Sequence, residues 1–565
     1  MEKANRRASV MPSKLRCLMR CVVFLLVSGL LFGSQSIGSE RLSAQGPSWS
    51  KPVLLSANTD VASAWFPTIV VDDQDNSHVY YDATRNKRDC VMYTTWDEGR
   101  WSQPVDIVSP ARGGYPTRPR AALDRYGNLQ LLFRAGTDVR HTWSPLDTAI
   151  RPQSWAPAQL FSSGAAYYSD VAVDLHGAIH VVWNQTVAHF PDEMSWICPG
   201  CMDIYYRHSS DGGRTWSAPV NLSDSPGGSN RPQINVDGRG TVYVVWEEAT
   251  DYTGQGQPMG VAARCSRDGG TTWDPVYHVI NRTPSSPPTT PEPRLGEQAT
   301  STPTPLAAQM EWFSPTVLLP DAGVPIQASI AVDVARTSAL MVWRTTQEEH
   351  LYLYYQLSQD AGATWSGPQE IPGFYARPFR DTYFDTYDMA TDSLGHVHLL
   401  AVGRLPEPLT SGLEPPRRLY ELVFDGVAWG APVLVSSREG FLPEWPQVAI
   451  ALGNKLHVVW FERALEDLYR SESARYKVWY SSRSAQAPPA TALPWFTPAP
   501  TPTATTPATP PATSVPTSTL VPLDSRSLGR SMYSEQTFVL HLLVAIAPVL
   551  LVAFVFLMGR QMRKR

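Results

Sequence analysis

The chain has 565 residues, a length that suits one large domain with extensions. Its formal net charge of −5, with only 18% charged residues, argues against a nucleic-acid partner. The 19 Trp, 23 Tyr and 37 Gly residues favour a domain built from β-sheets.

Residues 1–45 have the composition of a secretory signal. Basic residues precede the apolar Cys21–Phe32, which is followed by small and polar residues. We expect cleavage somewhere in Ser34–Gln45. An uncleaved anchor is the alternative.

Three near-identical turns recur, and each fits S-x-D-x-G-x-T-W. They are Ser209–Trp216, Ser266–Trp273 and Ser358–Trp365. In such a turn the Asp accepts backbone N–H groups, the second Gly supplies positive φ and the Trp offers a large apolar surface. We predict structural roles for Asp211, Gly213, Trp216, Asp268, Gly270, Trp273, Asp360, Gly362 and Trp365. A repeated turn indicates an array of one unit, so these residues are not expected to form one active site.

A strand–turn–strand pattern lies between these turns. It is clearest in Pro232–Trp246, Val171–Trp183 and Pro446–Trp460. Weaker copies begin near Pro67, Pro119, Ala328 and Tyr387. With a third strand before each turn and a fourth after it, the spacing of about 50–60 residues predicts four-stranded antiparallel units. The predicted fold is therefore all-β: a β-propeller over residues 46–484 with seven blades and a disordered insertion at about 281–311.

The two ends of the array are complementary. Trp49–Leu54 copies the outermost strand of a unit, but no unit precedes it. The last unit, Trp445–Ser484, lacks that strand. We predict that the N-terminal strand completes the last blade, which removes the unpaired edges of an open array.

The S-x-D-x-G-x-T-W turns resemble the Asp-box, or bacterial neuraminidase, repeats of the sialidase superfamily, over roughly Trp49–Ser484. Sialidases usually have six blades, which makes six the alternative count. The resemblance implies that three Arg bind a sialic acid carboxylate, with a Tyr–Glu pair as nucleophile and an Asp as acid/base. The family's F/Y-R-I-P motif is absent, because Ala64–Thr68 reads A-W-F-P-T. Asp-box propellers also include non-catalytic proteins.

The strand order places the longest connections on one face, here called the upper face. The predicted insertions there are Asp82–Cys90, Asn184–Asp203, Glu247–Gly260, Asn281–Ile326, Arg404–Arg417 and Glu462–Arg475. Long loops on a rigid scaffold are where binding residues concentrate. The candidate ligand-binding residues at the upper strand ends are Arg118, Arg134, Arg231, Glu247, Arg344, Arg377, Arg380 and Tyr387. Convergent Arg side chains can bind a carboxylate; a scaffold role is the alternative.

No cofactor or metal site is predicted. Four histidines share one position in the second strand of their units, where we expect structural roles: His78, His180, His398 and His457. Cys198 and Cys201 are separated by two residues in a loop and are predicted to form a local disulfide in an oxidising compartment.

The C-terminal part has the composition of a stalk and an anchor. Residues 485–536 are rich in Pro and Thr, and residues 537–558 contain no formal charge. Twenty-two uncharged and mainly apolar residues are long enough for a transmembrane helix. The basic residues 559–565 predict a cytoplasmic tail, which would place the propeller outside a plasma membrane.

The leading hypothesis is a membrane-anchored extracellular module that recognises a glycan or a protein through its upper face. An exo-α-sialidase-like glycoside hydrolase and a structural surface protein are the alternatives. Three Arg side chains that converge near the channel mouth, beside a Tyr–Glu contact, would favour the hydrolase. Scattered Arg residues would count against it.

Overall fold

The computed structural model describes most of the residues between 48 and 496. The described ranges are 48–57, 61–85, 88–97, 99–108, 116–186, 201–223, 228–249, 258–279, 323–333, 337–346, 352–377, 387–406, 417–467 and 475–496. The predicted signal, the predicted disordered insertion, the transmembrane segment and the tail lie outside them. Within the described ranges, no helix combines the length and apolar character needed to cross a membrane.

The described strands form seven separate antiparallel sheets, and the chain passes through them in order. Each sheet contains the four strand positions of one unit, so the fold is a seven-bladed β-propeller. The prediction of seven blades is confirmed, and the alternative of six is wrong.

The blades are numbered along the chain, and their strands from the first to the fourth. The first strands are Val61–Val71, Pro116–Leu123, Ala166–Val173, Gly228–Val236, Pro325–Val332, Tyr375–Ala376 with Asp388–Thr391, and Phe441–Ala451. The second strands are Ser77–Arg85, Asn128–Ala135, Ile179–Thr186, Val242–Ala249, Ala339–Thr345, Val397–Arg404 and Lys455–Ala464.

The third and fourth strands complete the blades. The third strands are Arg88–Asp97, Asp138–Pro145, Met202–Ser209, Pro258–Ser266, Leu353–Ser358, Arg418–Phe424 and Lys477–Ser484. The fourth strands are Arg100–Trp101 with Val105–Val108, Gln159–Leu160, Val220–Asn221, Tyr277–His278, Gln369–Glu370, Val433–Ser436 and, for blade 7, Val53–Leu54. Short 3-10 turns cover Leu146–Thr148, Pro152–Ser154 and Leu465–Asp467.

The core lies between neighbouring blades, because β-branched and aromatic residues of adjacent sheets pack face to face. One cluster joins Val70 and Tyr80 of blade 1 to Leu131 and Phe133 of blade 2. The second strands contribute Trp183, Trp246, Trp343 and Trp460, all at most 1% exposed. Burial on both faces explains why these strands are apolar throughout.

The three repeated turns are hairpin turns on the lower face. Asp211 Oδ1 accepts the N–H groups of Arg214 at 3.0 Å and Thr215 at 2.9 Å. Gly213 has a φ of +79°. Trp216 contacts the Phe161 ring at 4.8 Å, so its indole fills the space between blades 2 and 3. The turns at Asp268 and Asp360 make the same contacts with their own threonines.

The N-terminal segment closes the ring, as the sequence predicts. Val53 pairs with Tyr480 and Leu54 with Trp479. The Trp49 indole N–H donates to Glu421 of blade 6 at 3.0 Å. The segment therefore binds the last blade and its neighbour.

The chain continues beyond blade 7 across the lower face as a segment we call the strap, residues 485–496. The Ala490 N–H donates to the Leu452 carbonyl of blade 7 at 2.6 Å. The Phe496 N–H donates to the Arg125 carbonyl of blade 2 at 2.6 Å. The strap thus ties blade 7 to blade 2. It is the beginning of the predicted stalk; the rest of the stalk lies outside the described residues.

The first predicted insertion is not a loop. Asp82–Arg85 and Arg88–Cys90 are strand residues that pair with each other, so Asp82–Cys90 is an extended hairpin. In the other five, the central residues lie outside the described ranges.

The four repeated histidines are buried and hydrogen-bonded within their blades. His78 bonds Tyr93 at 2.8 Å and His180 bonds Tyr206 at 2.8 Å, while His398 bonds Glu421 and His457 bonds Tyr480. Cys201 is disulfide-bonded, whereas Cys198 lies outside the described residues. Cys90 and Cys265 are buried free thiols.

Candidate functional site

A repeated bulge places one residue per blade at the upper channel mouth. In five blades this residue of the first strand has positive φ: Phe66, Arg118, Arg231, Gln327 and Trp445, at 47–53°. The strand register shifts at each of these positions. Left-handed backbone costs a non-glycine residue about 1–2 kcal/mol, and such strain is typical of functional sites.

Three of the candidate arginines converge there. The Arg118 guanidinium lies 4.3 Å from the Tyr167 ring centre and 5.0 Å from that of Tyr168. Arg134 lies 4.0 Å from the Tyr167 ring, and Arg231 lies 5.8 Å from the Tyr168 ring. The two tyrosines of blade 3 are therefore surrounded by cations from blades 2 and 4. We call these five residues the arginine cluster.

The three cations differ in their partners. Arg231 donates to both carboxylate oxygens of Glu247 at 3.2 Å, and to the Tyr168 hydroxyl at 3.4 Å. Arg134 donates to the Gly136 carbonyl at 2.7 Å. The Arg118 guanidinium has no hydrogen bond or ion pair among the described residues, and its Nε is buried without a partner. Arg118 is thus the cation of the cluster whose guanidinium has no hydrogen-bond acceptor among the described residues.

These charges change the acidity of the site. Burial raises the pKa of Tyr168, but the positive charges of Arg231 and Arg118 outweigh burial and the pKa is lowered overall. Burial lowers the pKa of Arg134, and the like charge of Arg118 adds to this. An anion bound between these side chains would relieve the repulsion between the two arginines.

A carboxyl group of blade 1 holds the backbone of Arg118. Asp82 Oδ2 accepts the Arg118 N–H at 2.9 Å and the hydroxyl of Thr117. Asp82 is 1% exposed, and its other oxygen has no hydrogen-bond partner in the described part of the chain. Burial raises the pKa of Asp82 to about 8, although these two hydrogen bonds lower it in part.

A second polar layer lies deeper in the channel. Arg120 of blade 2 lies 3.6 Å from Asp170 of blade 3 and also donates to Gln447 of blade 7. Its side chain therefore spans the channel. Burial raises the pKa of Asp388 to about 6, and the charge of Arg120 counteracts part of this rise.

A small cavity lies between the two layers. Its walls include Arg120, Tyr168, Arg231, Glu247 and Trp445. Its volume is about 30 Å³, which holds about two water molecules. Arg118 is not one of its lining residues, so a carboxylate bound to Arg118 would lie at the mouth beside the cavity.

Two of the other candidate arginines do not reach this site. Arg377 and Glu444 are an ion pair at 3.3 Å, and both side chains are 0% exposed. Arg344 is 2% exposed and donates to the Arg377 carbonyl at 2.9 Å. These arginines therefore join blades 5, 6 and 7, which argues against ligand binding. Tyr387 is buried in the cavity wall and donates to the Gln327 carbonyl. Arg380 lies outside the described residues.

Sequence reasoning did not identify two features of the site. Asp82 occupies the repeat position of Arg134 and Glu247, and an alignment of the second strands would have singled it out. Arg120, Asp170 and Asp388 share one position in the first strands, four residues before the turn Asp. Charged residues at a channel-lining repeat position were the available signal.

No known protein family and no curated protein matches the chain. Among solved structures, a protein of unknown function from Dyadobacter fermentans is 12% identical, with a TM-score of 0.44 over 77% of this chain and 98% of its own. An intramolecular trans-sialidase from Ruminococcus gnavus is 11% identical, with a TM-score of 0.39 over 76% and 96%. An ulvan lyase, a polysaccharide lyase, is 11% identical, with a TM-score of 0.44 over 77% and 93%. These values assign the chain to no family, and its fold is defined by its own sheet topology.

Proposed function

We propose that this protein recognises an acidic glycan at the upper mouth of the propeller channel. The arginine cluster carries the proposal, and Arg118 is its centre. A buried guanidinium donor without an acceptor costs stability. A carboxylate supplies acceptors in the planar geometry that a guanidinium matches.

A sugar acid fits the cluster better than a simple carboxylate. Tyr167 and Tyr168 are only half-buried, so aromatic surface lies beside the cations. Binding sites of this kind combine apolar or aromatic walls with a few fixed polar groups. The carboxylate would meet Arg118 at the channel mouth, and the apolar face of the sugar ring would contact the tyrosines.

A glycan array tests the proposal. Full-length protein is applied to arrayed neutral, sulfated, uronate and sialylated glycans. We expect binding confined to carboxylate-bearing glycans and abolished by Arg118→Gln. Arg404→Gln is the matched control, because Arg404 lies at an upper strand end of blade 6 and stacks on Tyr375 at 4.9 Å, away from the cluster. Binding to neutral glycans alone, or equal binding by Arg118→Gln, would refute it.

A sialidase-like hydrolase is the second candidate. Its support is that Arg231 bridges the Tyr168 hydroxyl and the Glu247 carboxylate, and that the pKa of Tyr168 is lowered. The described residues contain no direct Tyr168–Glu247 hydrogen bond, which a nucleophile–base pair requires. An aryl sialoside separates the candidates: turnover that Tyr168→Phe abolishes would favour the hydrolase.

We also propose that the propeller is displayed outside a plasma membrane on a C-terminal anchor. The support is in the sequence alone: the apolar residues 537–558, the basic tail and the signal-like N-terminus. We propose in addition that the repeated turns are Asp-box repeats, on the resemblance of their sequences. Protease treatment of intact cells checks it, because the propeller should be released while the tail stays with the membrane.

A further inference from the structure

We propose that Asp82 positions Arg118 for its ligand and makes binding at the channel mouth depend on pH. This inference rests on the proposed function, because it assigns a role to Arg118 in binding. Asp82 itself lies behind the backbone of the cluster, so it is a positioning residue and not a ligand contact.

One carboxyl oxygen of Asp82 accepts two hydrogen bonds from residues of the next blade. The Arg118 N–H and the Thr117 hydroxyl both donate to Asp82 Oδ2. Arg118 is left-handed, with φ of 53°, and precedes Pro119, which has no N–H. An acceptor fixed at this point favours a backbone conformation that Arg118 would otherwise avoid.

Among the residues that the structure describes, the same arrangement occurs once more around the ring. Glu247, at the equivalent position of blade 4, accepts the N–H of the left-handed Gln327 of blade 5 at 2.6 Å. Glu247 is also paired with Arg231, whereas Asp82 has no cation within ion-pair distance among the described residues. Of these two carboxyl groups, Asp82 is therefore the one whose charge is not fixed by an ion-pair partner.

The pH dependence follows from the surroundings of Asp82. The groups that act on it are Arg118, which favours the ionised form, and Asp89, which disfavours it; the Cys90 thiol is also near. Burial is the largest effect and raises the pKa of Asp82 to about 8. The ionised fraction of Asp82 thus increases between pH 7 and pH 9. The ionised carboxylate attracts the Arg118 guanidinium and competes with the ligand carboxylate, so affinity should fall as pH rises through 8.

Two measurements on the full-length protein test the positioning role. The first is hydrogen–deuterium exchange of Pro116–Pro119 without ligand, where Thr117 and Arg118 carry the backbone amides. Asp82→Ala should accelerate exchange about tenfold, and Asp82→Asn, which keeps an acceptor, should not. The second is affinity for an acidic glycan at pH 7: about a tenfold loss in Asp82→Ala and little change in Asp82→Asn. Asp274→Asn is the control, because Asp274 pairs with Arg267 beside a lower-face turn of blade 4 and is not among the groups that act on Asp82.

The pH profile separates positioning from a merely structural role. The pKa of Tyr168 is also lowered, so Tyr168 could contribute its own pH dependence. Both proteins therefore carry Tyr168→Phe, and they differ only in whether they also carry Asp82→Asn. Affinity should fall several-fold from pH 7 to pH 9 in the protein that keeps Asp82 and stay level in the Asp82→Asn protein. Unchanged exchange in Asp82→Ala, or the same fall in affinity in Asp82→Asn, overturns the inference. If no carboxylate ligand binds wild-type protein while exchange responds as expected, the proposed function fails and the hold of Asp82 on Arg118 stands.

Discussion

Closure of the ring by the N-terminal segment can be tested with Leu55→Ala. Leu55 is 6% exposed and packs in the cluster that joins blades 1 and 7. Its N–H donates to the Val478 carbonyl at 2.9 Å, which the substitution retains. The change therefore removes side-chain packing at the closure and leaves the backbone bond in place.

The magnitude follows from burial. Truncating a buried Leu to Ala costs about 3 kcal/mol, from lost transfer free energy and the cavity left behind. For a domain of about 450 residues, the unfolding entropy is about 0.9 kcal/mol per degree, so the melting temperature should fall by about 3 °C. Val53→Ala is the matched control: Val53 is 39% exposed in the same segment, and its loss should cost about 0.5 kcal/mol or less.

Scanning calorimetry of the three proteins gives the comparison, and urea midpoints check it. If Leu55→Ala melts no lower than Val53→Ala, the N-terminal segment does not stabilise the ring in solution, and the closure described above is refuted.

Three further predictions concern the scaffold. Gly270→Ala should destabilise the propeller by about 3 kcal/mol and Gly269→Ala by about 1 kcal/mol. Both glycines have positive φ, but only at position 270 would a Cβ meet the Tyr206 hydroxyl, at 1.8 Å. Equal melting temperatures of the two variants would contradict this prediction. Burial lowers the pKa of His398, but Asp392 and Glu421 outweigh burial and raise it, so the charged His398 stabilises the fold below about pH 6.5 and this contribution is lost as pH rises through the raised pKa. The difference in stability between wild type and His398→Gln should therefore become smaller as pH rises. A difference in urea midpoints that does not change with pH would count against this prediction. A protein ending at Ser484 should lose about 2 kcal/mol relative to one ending at Phe496, from the strap's hydrogen bonds less their ordering cost; equal midpoints would show that the strap contributes nothing.

The sequence repeats were sufficient to predict most of the fold. Asp211, Asp268 and Asp360 share one turn chemistry, so local sequence was sufficient to predict the hairpins and their spacing. The copy of an outer strand at Trp49–Leu54 was sufficient to predict closure. These features depend on contacts within a blade or on one complementary pair of ends.

The site was predictable only in part. Strand ends identified Arg118, Arg134 and Arg231, and these converge. The same reasoning selected Arg344 and Arg377, whose side chains instead bind residues of neighbouring blades.

The difference depends on partners far apart in sequence. Glu444, which pairs with Arg377, is 67 residues away. Asp82 holds Arg118 from 36 residues away. No local pattern distinguishes a paired rim Arg from a free one, because its environment is set by the neighbouring blade.

The central claim is that Arg118 binds a ligand carboxylate, and calorimetric titration tests it most directly. Wild-type and Arg118→Gln proteins are titrated with the best acidic glycan from the array and with its carboxamide analogue. We predict that wild-type protein loses about 10–100-fold in affinity for the carboxamide, and that Arg118→Gln binds both weakly and alike. Equal wild-type affinity for acid and carboxamide would contradict the account.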